Sequence, residues 1–246
     1  VKGRVGMSAA RVQRMYKAVS VRASARSAGF IVTLDGKPVL TPARKELTLP
    51  NRPLAWAIAS EWDAQGRRLQ PYTMPMMKLA TTAVDQVPDI RGTMCESMVR
   101  CLYTDAACMR TDEEELASRE ASHFDGLLQW LAEDLGLKLA STQSLILEQP
   151  VASVVRAGEL LDASDDWEIA ALDSLTSACK SFVLALAVLH GHLDANAACK
   201  AARVAEQYQI DEWGEVEAGH DLDEADLRLR VASASAFLKL LRLRLD

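Results

Sequence analysis

The sequence predicts an α+β protein, with a small N-terminal antiparallel β-rich domain followed by a mainly α-helical bundle domain. Short β-prone runs separated by turn residues fill the chain up to residue 52. From residue 53 to residue 246, apolar residues recur at the spacing of one helix face. A chain of 246 residues is long enough to bury one large core or two modest ones.

The β-rich domain is expected to span residues 14–52. Its strongest strand candidate is the segment GFIVTL at residues 29–34. Asp35 and Gly36 separate this segment from a second β-prone run at 37–40, and Asp-Gly between two such runs is a strong signal for a tight hairpin.

Three weaker runs complete the predicted sheet. Residues 15–21 alternate weakly, and residues 46–49 form a short run before a Pro-Asn turn. The segment 137–142, LKLAST, also alternates, and we expect it to return to the β-rich domain as a lone strand.

The helical domain, residues 53–246, begins with a segment in which Leu54, Ile58 and Trp62 recur every fourth residue. This spacing places all three side chains on one buried face. Short breaks between the later helices predict antiparallel neighbours in a bundle. The predicted helices cover residues 54–65, 75–85, 90–105, 113–135, 166–190, 194–213 and 222–245.

Charge is unevenly distributed along the chain. Residues 1–34 contain seven Lys or Arg and no acid, whereas the remainder contains 21 basic and 34 acidic residues. Such an acidic body is unsuited to nucleic acid, whose phosphates require the opposite charge. The longest apolar run, residues 182–189, is too short to span a bilayer, so we predict no insertion into a membrane.

No enzyme motif is present in the sequence. It has no GxGxxG or GxxxxGK phosphate-binding loop and no GxSxG nucleophile turn. The five cysteines form no CxxC pair, which favours buried free thiols over a metal site. We therefore predict no catalytic residue, no metal and no cofactor. Residues 112–115, which are rich in acids, are interpreted as the charged N-terminus of a helix.

The segment 206–226 contains nine acids and no Lys or Arg, with apolar and aromatic residues between the acids. Aromatic anchors within a charged rim are typical of protein interfaces. The alternative is that Tyr208 and Trp213 pack inward while the acids form a solvated helix corner. The candidate protein-binding residues are Glu206, Tyr208, Asp211, Glu212, Trp213 and Glu215.

Several motifs resemble those of the mitochondrial ATP synthase F(1) complex assembly factor 2 family. These are EWDAQ at 61–65, YTMP at 72–75, LATTAVD at 79–85 and QYQIDEWGEVEAGHDLDEADLR at 207–228, and the resemblance extends over residues 14–241. Its structural signature falls on Trp62, Asp63, Pro75 and Asp85.

The resemblance implies a chaperone, not an enzyme, that binds the unassembled alpha subunit of the catalytic sector in the mitochondrial matrix. Residues 1–13 would then be the remnant of a transit peptide, although a basic disordered tail or a cloning remnant has the same composition. An alternative is a permanent, stoichiometric subunit of a mitochondrial complex. Departures from the family pattern at Ala205, Ala218 and His123-Phe124 fit that alternative. An uncharacterised enzyme ranks last, and the oligomeric state is left open.

Overall fold

The computed structural model describes residues 13–144, 146–214 and 220–243, apart from the side chains of His220 and Asp221. It confirms the predicted α+β class, with a small antiparallel sheet followed by helices. The strands are β1 (Val19–Ala23), β2 (Phe30–Leu34), β3 (Lys37–Pro38) and β4 (Thr48–Leu49). The helices are α1 (Arg52–Asp63), α2 (Pro75–Thr81), α3 (Val87–Cys101), α4 (Glu114–Asp134), α5 (Val151–Asp162), α6 (Asp166–Cys179), α7 (Phe182–Leu189), α8 (Ala195–Ala202), α9 (Val204–Trp213) and α10 (His220–Arg242).

The sheet is organised around β2. β1 pairs antiparallel with β2 along its whole length, while β3 and β4 pair antiparallel with opposite ends of β2. Asp35 and Gly36, between β2 and β3, have φ angles of 48° and 81°. Both angles lie in the left-handed region that a tight hairpin turn requires, so the predicted Asp-Gly hairpin is present.

The segment 137–142 is not a strand of this sheet, and that prediction was wrong. Thr142 instead forms an isolated parallel bridge with Met109. The backbone N–H of Thr142 donates to Cys108 over 3.0 Å, and the N–H of Arg110 donates to Thr142 over 2.8 Å. The edges of β2 are already occupied by β1, β3 and β4, so the alternating segment pairs with the loop after α3.

Two predicted helices are each divided in two. The predicted helix 166–190 breaks between α6 and α7, where Lys180 has a φ angle of 52° and Ser181 caps the second helix. The predicted helix 194–213 breaks at Arg203, which has non-helical angles between α8 and α9. Apolar spacing continues across both breaks, which is why the pattern alone did not reveal them.

Two further differences concern helix boundaries. The prediction missed α5 entirely. The predicted helices 75–85 and 90–105 are joined, because a wider helical turn at Thr82–Gln86 connects α2 to α3. Ile90 has non-helical angles two residues after Pro88, so a kink remains in the joined helix.

Helix α7 lies at the centre of the core, where every one of its residues from Phe182 to Leu189 is buried. It contacts α3, α4, α6, α8 and α10. A helix that is apolar on all sides is expected in such a position. No helix among the described residues combines the length and apolar character needed to cross a membrane.

The buried Asp105 side chain holds the N-terminus of α7. Its carboxylate accepts hydrogen bonds from the Phe182 and Val183 amides over 2.7 and 3.1 Å and from the Ser181 hydroxyl over 2.5 Å. It also accepts one from the Ala107 amide over 3.0 Å. Burial raises the pKa of Asp105, while these donors lower it. Asp105 thus satisfies amide groups that the start of a helix leaves without partners.

Trp62 is less buried than its spacing predicts. Leu54 and Ile58 on the same face are fully buried, but Trp62 is only partly covered and packs at the edge of the core. Its ring meets Tyr16 edge-on with ring centres 5.8 Å apart, and the Tyr16 hydroxyl donates to the Trp62 carbonyl over 2.6 Å. Tyr16 lies before the sheet, so this contact joins the N-terminal segment to α1.

Glu61 connects α1 to the start of α2. Its two carboxylate oxygens accept hydrogen bonds from the Met76 and Met77 amides over 2.7 and 2.8 Å. Burial raises the pKa of Glu61 from an ordinary 4.5 to about 7, although the two hydrogen bonds act in the opposite direction. The folded protein therefore keeps a proton on Glu61 at pH values where the unfolded chain has lost it.

This proton makes stability depend on pH. The pKa of Glu61 is higher in the folded state than in the unfolded state. The contribution of Glu61 to the unfolding free energy is therefore fully present below pH 4.5 and is lost as the pH rises through about 7. We expect a loss of about 3 kcal/mol in unfolding free energy over that range. The Glu61→Gln variant cannot titrate, so in urea unfolding it should lose less stability than the wild type as the pH rises.

The matched control is Asp63→Asn, which alters a largely exposed carboxylate two residues away. Its unfolding free energy should follow the wild-type pH dependence. If the wild type and Glu61→Gln lost stability in parallel, the raised pKa of Glu61 would be contradicted.

Candidate functional site

Two of the four signature residues lie where the N-terminal segment meets α1. Asp63 pairs with Arg14 over 3.5 Å, and Trp62 packs against Tyr16. Arg14 also donates to the backbone carbonyls of Asp63, over 2.8 Å, and Gln65, over 2.5 Å. A guanidinium at the end of a helix satisfies carbonyls that have no partner within the helix.

The other two signature residues lie beyond α1, with Pro75 at the start of α2 and Asp85 in the wider turn that follows it. Pro75 opens α2, at a position where its missing N–H costs no helical hydrogen bond. Asp85 accepts hydrogen bonds from the Thr41 hydroxyl over 2.9 Å and the Ala43 amide over 3.0 Å. Asp85 therefore ties the loop between β3 and β4 to the turn between α2 and α3.

The acid-rich segment begins on α9, which packs against α4. Arg119 of α4 pairs with Asp211 over 2.5 Å and with Glu115 over 2.7 Å. The Arg119 guanidinium also lies 5.2 Å from the centre of the Tyr208 ring, and Tyr208 is 8% exposed. Hydrogen bonding to Arg119 lowers the pKa of Asp211. Tyr208 and Asp211 thus attach α9 to α4.

A second group of ion pairs fixes the other end of α9. Arg203 pairs with Glu206 over 3.0 Å and also with Glu224 of α10. Glu224 in turn pairs with Arg228. Hydrogen bonding to Arg203 lowers the pKa of Glu224. These groups line or border a cavity of about 550 Å³ between α4, α8, α9 and α10.

Trp213, at the end of α9, points into solvent. It is 76% exposed, and Leu222, near the start of α10, is 74% exposed. Glu212 is exposed and forms no ion pair with any residue that the structure describes. The candidate residue Glu215 lies outside the described residues. The structure thus separates Tyr208 and Asp211, which serve internal contacts, from Glu212 and Trp213, which face outward.

The sequence prediction missed the three arginines that partner the acids. Spacing could have indicated Glu115 with Arg119 and Glu224 with Arg228, since residues four apart meet on a helix surface. No local pattern connects Arg119 with Asp211, which lie on different helices. Among the described residues, no group of three or more His, Cys, Asp or Glu side chains is arranged to hold a metal ion.

Comparisons with known proteins identify relatives along nearly the whole chain. A family model described as "ATP12 chaperone protein" matches residues 13–132. Atp12 from Paracoccus denitrificans is 28% identical, with a TM-score of 0.86, and the match covers 94% of this chain and 99% of that one. The Atu1473 protein from Agrobacterium tumefaciens is 32% identical, with a TM-score of 0.86, and the match covers 94% of this chain and 86% of that one. "Protein atp12, mitochondrial" from Schizosaccharomyces pombe is 25% identical over 219 residues, covering 83% of this chain and 75% of that protein.

The different surroundings of Asp211 and Glu212 lead to a test. Asp211→Lys places a cation against Arg119, so we expect α9 to detach from α4 and its amides to exchange hydrogen faster. Glu212→Lys changes an exposed charge without an internal partner and should leave amide exchange in α9 as in the wild type. Hydrogen exchange followed by mass spectrometry measures both variants. Equal protection of α9 in the two variants would contradict this assignment.

Proposed function

The chain belongs to the ATP12 family of chaperone proteins, and we propose that it binds the unassembled alpha subunit of the ATP synthase catalytic sector. In this proposal it covers the surface of the alpha subunit that later meets the beta subunit. We propose that it acts in the mitochondrial matrix, and the name of the S. pombe relative, a mitochondrial protein, supports the mitochondrial part of this proposal. The basic, acid-free composition of residues 1–13 also suits import into mitochondria.

The exposed Trp213 side chain indicates which surface of this chain would bind the alpha subunit. A large aromatic residue that is 76% exposed gains little from its own fold. Trp is among the residues that dominate protein interfaces. An unassembled subunit exposes apolar surface that would otherwise aggregate. We propose that the Trp213 side chain packs into that apolar surface of the client, which is the alpha subunit.

The charges around Trp213 favour a basic rim on the client. Glu212 adjoins Trp213 and has no ion pair within the described part of the chain. Exposed charges of this kind act mainly on association rate and on the orientation of the partner. Asp211 contributes less to such steering because Arg119 already neutralises it.

Shielding a surface requires neither catalysis nor a nucleotide. The sequence has no glycine-rich loop that could hold phosphates. We therefore propose a non-enzymatic mechanism in which the beta subunit competes with the chaperone for the same surface of the alpha subunit. Release then follows from competition between two binding equilibria.

The first functional prediction is that the purified protein suppresses aggregation of isolated alpha subunit without ATP. Light scattering of the alpha subunit, with and without nucleotide, measures this. An unrelated acidic protein of similar size is the control for non-specific protection. Protection that appeared only with ATP would contradict passive shielding, and stoichiometric retention in the assembled enzyme would favour a permanent subunit instead.

The second prediction concerns Trp213. We expect Trp213→Ala to raise the dissociation rate of the alpha subunit about tenfold or more, because a buried aromatic anchor typically acts on that rate. Its melting temperature should stay near that of the wild type, since the ring is exposed. Surface-immobilised binding kinetics measure the rate.

Trp56→Ala is the matched control, because Trp56 is a second exposed tryptophan, 46% accessible, on α1. Its loss should leave the dissociation rate unchanged. If the alpha subunit dissociated from Trp213→Ala at the wild-type rate, α9 would not be part of the proposed contact.

A further inference from the structure

A second surface, away from α9, has features of a binding groove. Helices α3 and α5 pack together and leave an open cavity of about 440 Å³ between them. Val99 and Tyr103 line the cavity on the α3 side, and Val154, Val155 and Gly158 line it on the α5 side. We call this surface the α3–α5 groove. None of its lining residues belongs to α9 or α10.

The apolar side chains around the groove are exposed. Val155 is 56% exposed and Tyr103 is 42% exposed. Val151 is 79% exposed and lies one turn before Val155, on the same face of α5. These residues form an apolar strip that continues beyond the cavity. Contiguous apolar surface of this kind indicates a binding site more often than single exposed residues do.

Gly158 has no role within the fold that requires a glycine. It lies inside α5, where glycine destabilises a helix relative to alanine. A Cβ atom at this position would meet no other atom within 4 Å. The missing side chain instead leaves room for another backbone to approach closely, which is a common use of glycine at binding sites.

The charged residues make the two ends of the groove different. Glu96 on the α3 side and Asp162 on the α5 side both line the groove, together with Cys95. Glu96 and Asp162 form no ion pair with the described residues. Arg91, near the same end, is held by Asp166 over 2.7 Å and by two carbonyls at the C-terminal end of α5, those of Leu161 and Ser164. The end lined by Glu96 and Asp162 is therefore acidic, whereas Arg100, one turn further along α3, adds a positive charge to the lining beyond that end.

We propose that the α3–α5 groove binds an amphipathic helix of the client, with its apolar face against the valines and a basic residue at the Glu96 and Asp162 end. Two packed helices with a groove between them present the surface on which a third helix docks. The acidic end selects helices that carry a Lys or Arg there. The identity of the client rests on the proposed function, whereas the groove and the chemistry of its occupant rest on the features above.

The principal test fills the groove from within. Gly158→Leu adds a side chain whose Cβ meets no atom within 4 Å and whose remaining atoms extend into the open groove, so the variant should melt no lower than the wild type. We expect its dissociation constant for the alpha subunit to rise about tenfold or more. Gly126→Leu is the matched control, because Gly126 is also inside a helix, with open space around it, but lies on α4 outside the groove. It should bind as the wild type does.

Two further variants test the apolar wall and the acidic end. Val155→Asp places a charge on the exposed apolar wall and should weaken binding to a similar extent as Gly158→Leu. Glu96→Lys combined with Asp162→Lys should slow association with the alpha subunit, most strongly at low salt. All are measured with the full chain and purified alpha subunit, and thermal melts confirm that each variant is folded.

The outcomes distinguish the groove from the proposed function. If the wild type binds alpha subunit and Trp213→Ala weakens binding, while Gly158→Leu and Val155→Asp bind normally, the groove is not a client site and the proposed function stands. If the wild type does not bind alpha subunit, both fail. If the wild type self-associates in sedimentation and Gly158→Leu is monomeric, the groove takes a second copy of this chain, which also overturns the proposal.

Discussion

The burial of α7 is the constraint on which the rest of the helical region depends. Every side chain from Phe182 to Leu189 is buried, so the ends of the helix must satisfy their backbone groups inside the protein. Asp105 and Ser181 accept from the amides at the N-terminus. At the C-terminus, Gly191 has a φ angle of 73°, and the His192 amide donates to Ala187 over 2.8 Å. Because Asp105 follows α3, this requirement also fixes the loop between α3 and α4.

The same solution recurs at the junction between the sheet and the helices. Glu61 holds the first amides of α2 as Asp105 holds those of α7, and Asp85 holds the β3–β4 loop. In each case a carboxylate accepts hydrogen bonds from a segment distant in sequence. Breaking the contacts of Asp105 leaves the buried Phe182 and Val183 amides without partners, which costs more than an ordinary hydrogen bond contributes. This explains why the acidic residues Glu61 and Asp85 of the signature motifs serve to hold other segments in place.

The sequence was a good guide wherever local chemistry decides the structure. The Asp35-Gly36 hairpin and the long amphipathic α4 follow directly from turn and spacing rules. The breaks at Lys180 and Arg203 were missed because the apolar pattern continues across them, whereas tertiary contacts such as Asp105 with Ser181 set the boundary. At the candidate site, the local pattern predicted Trp213 as a binding anchor, and the structure leaves its side chain exposed. It did not reveal that Asp211 is paired with Arg119, because that contact joins distant parts of the chain.

The division of the acid-rich segment into internal and outward-facing groups has a consequence for binding. Ion pairs of Arg119 and Arg203 fix both ends of α9, and the buried Tyr208 fixes its middle. A side chain carried on a helix held at several points loses less conformational freedom on binding than one on a mobile loop. The proposed anchor Trp213 is therefore carried in a preorganised position, and Glu206, Asp211 and Glu224 support that position through their ion pairs.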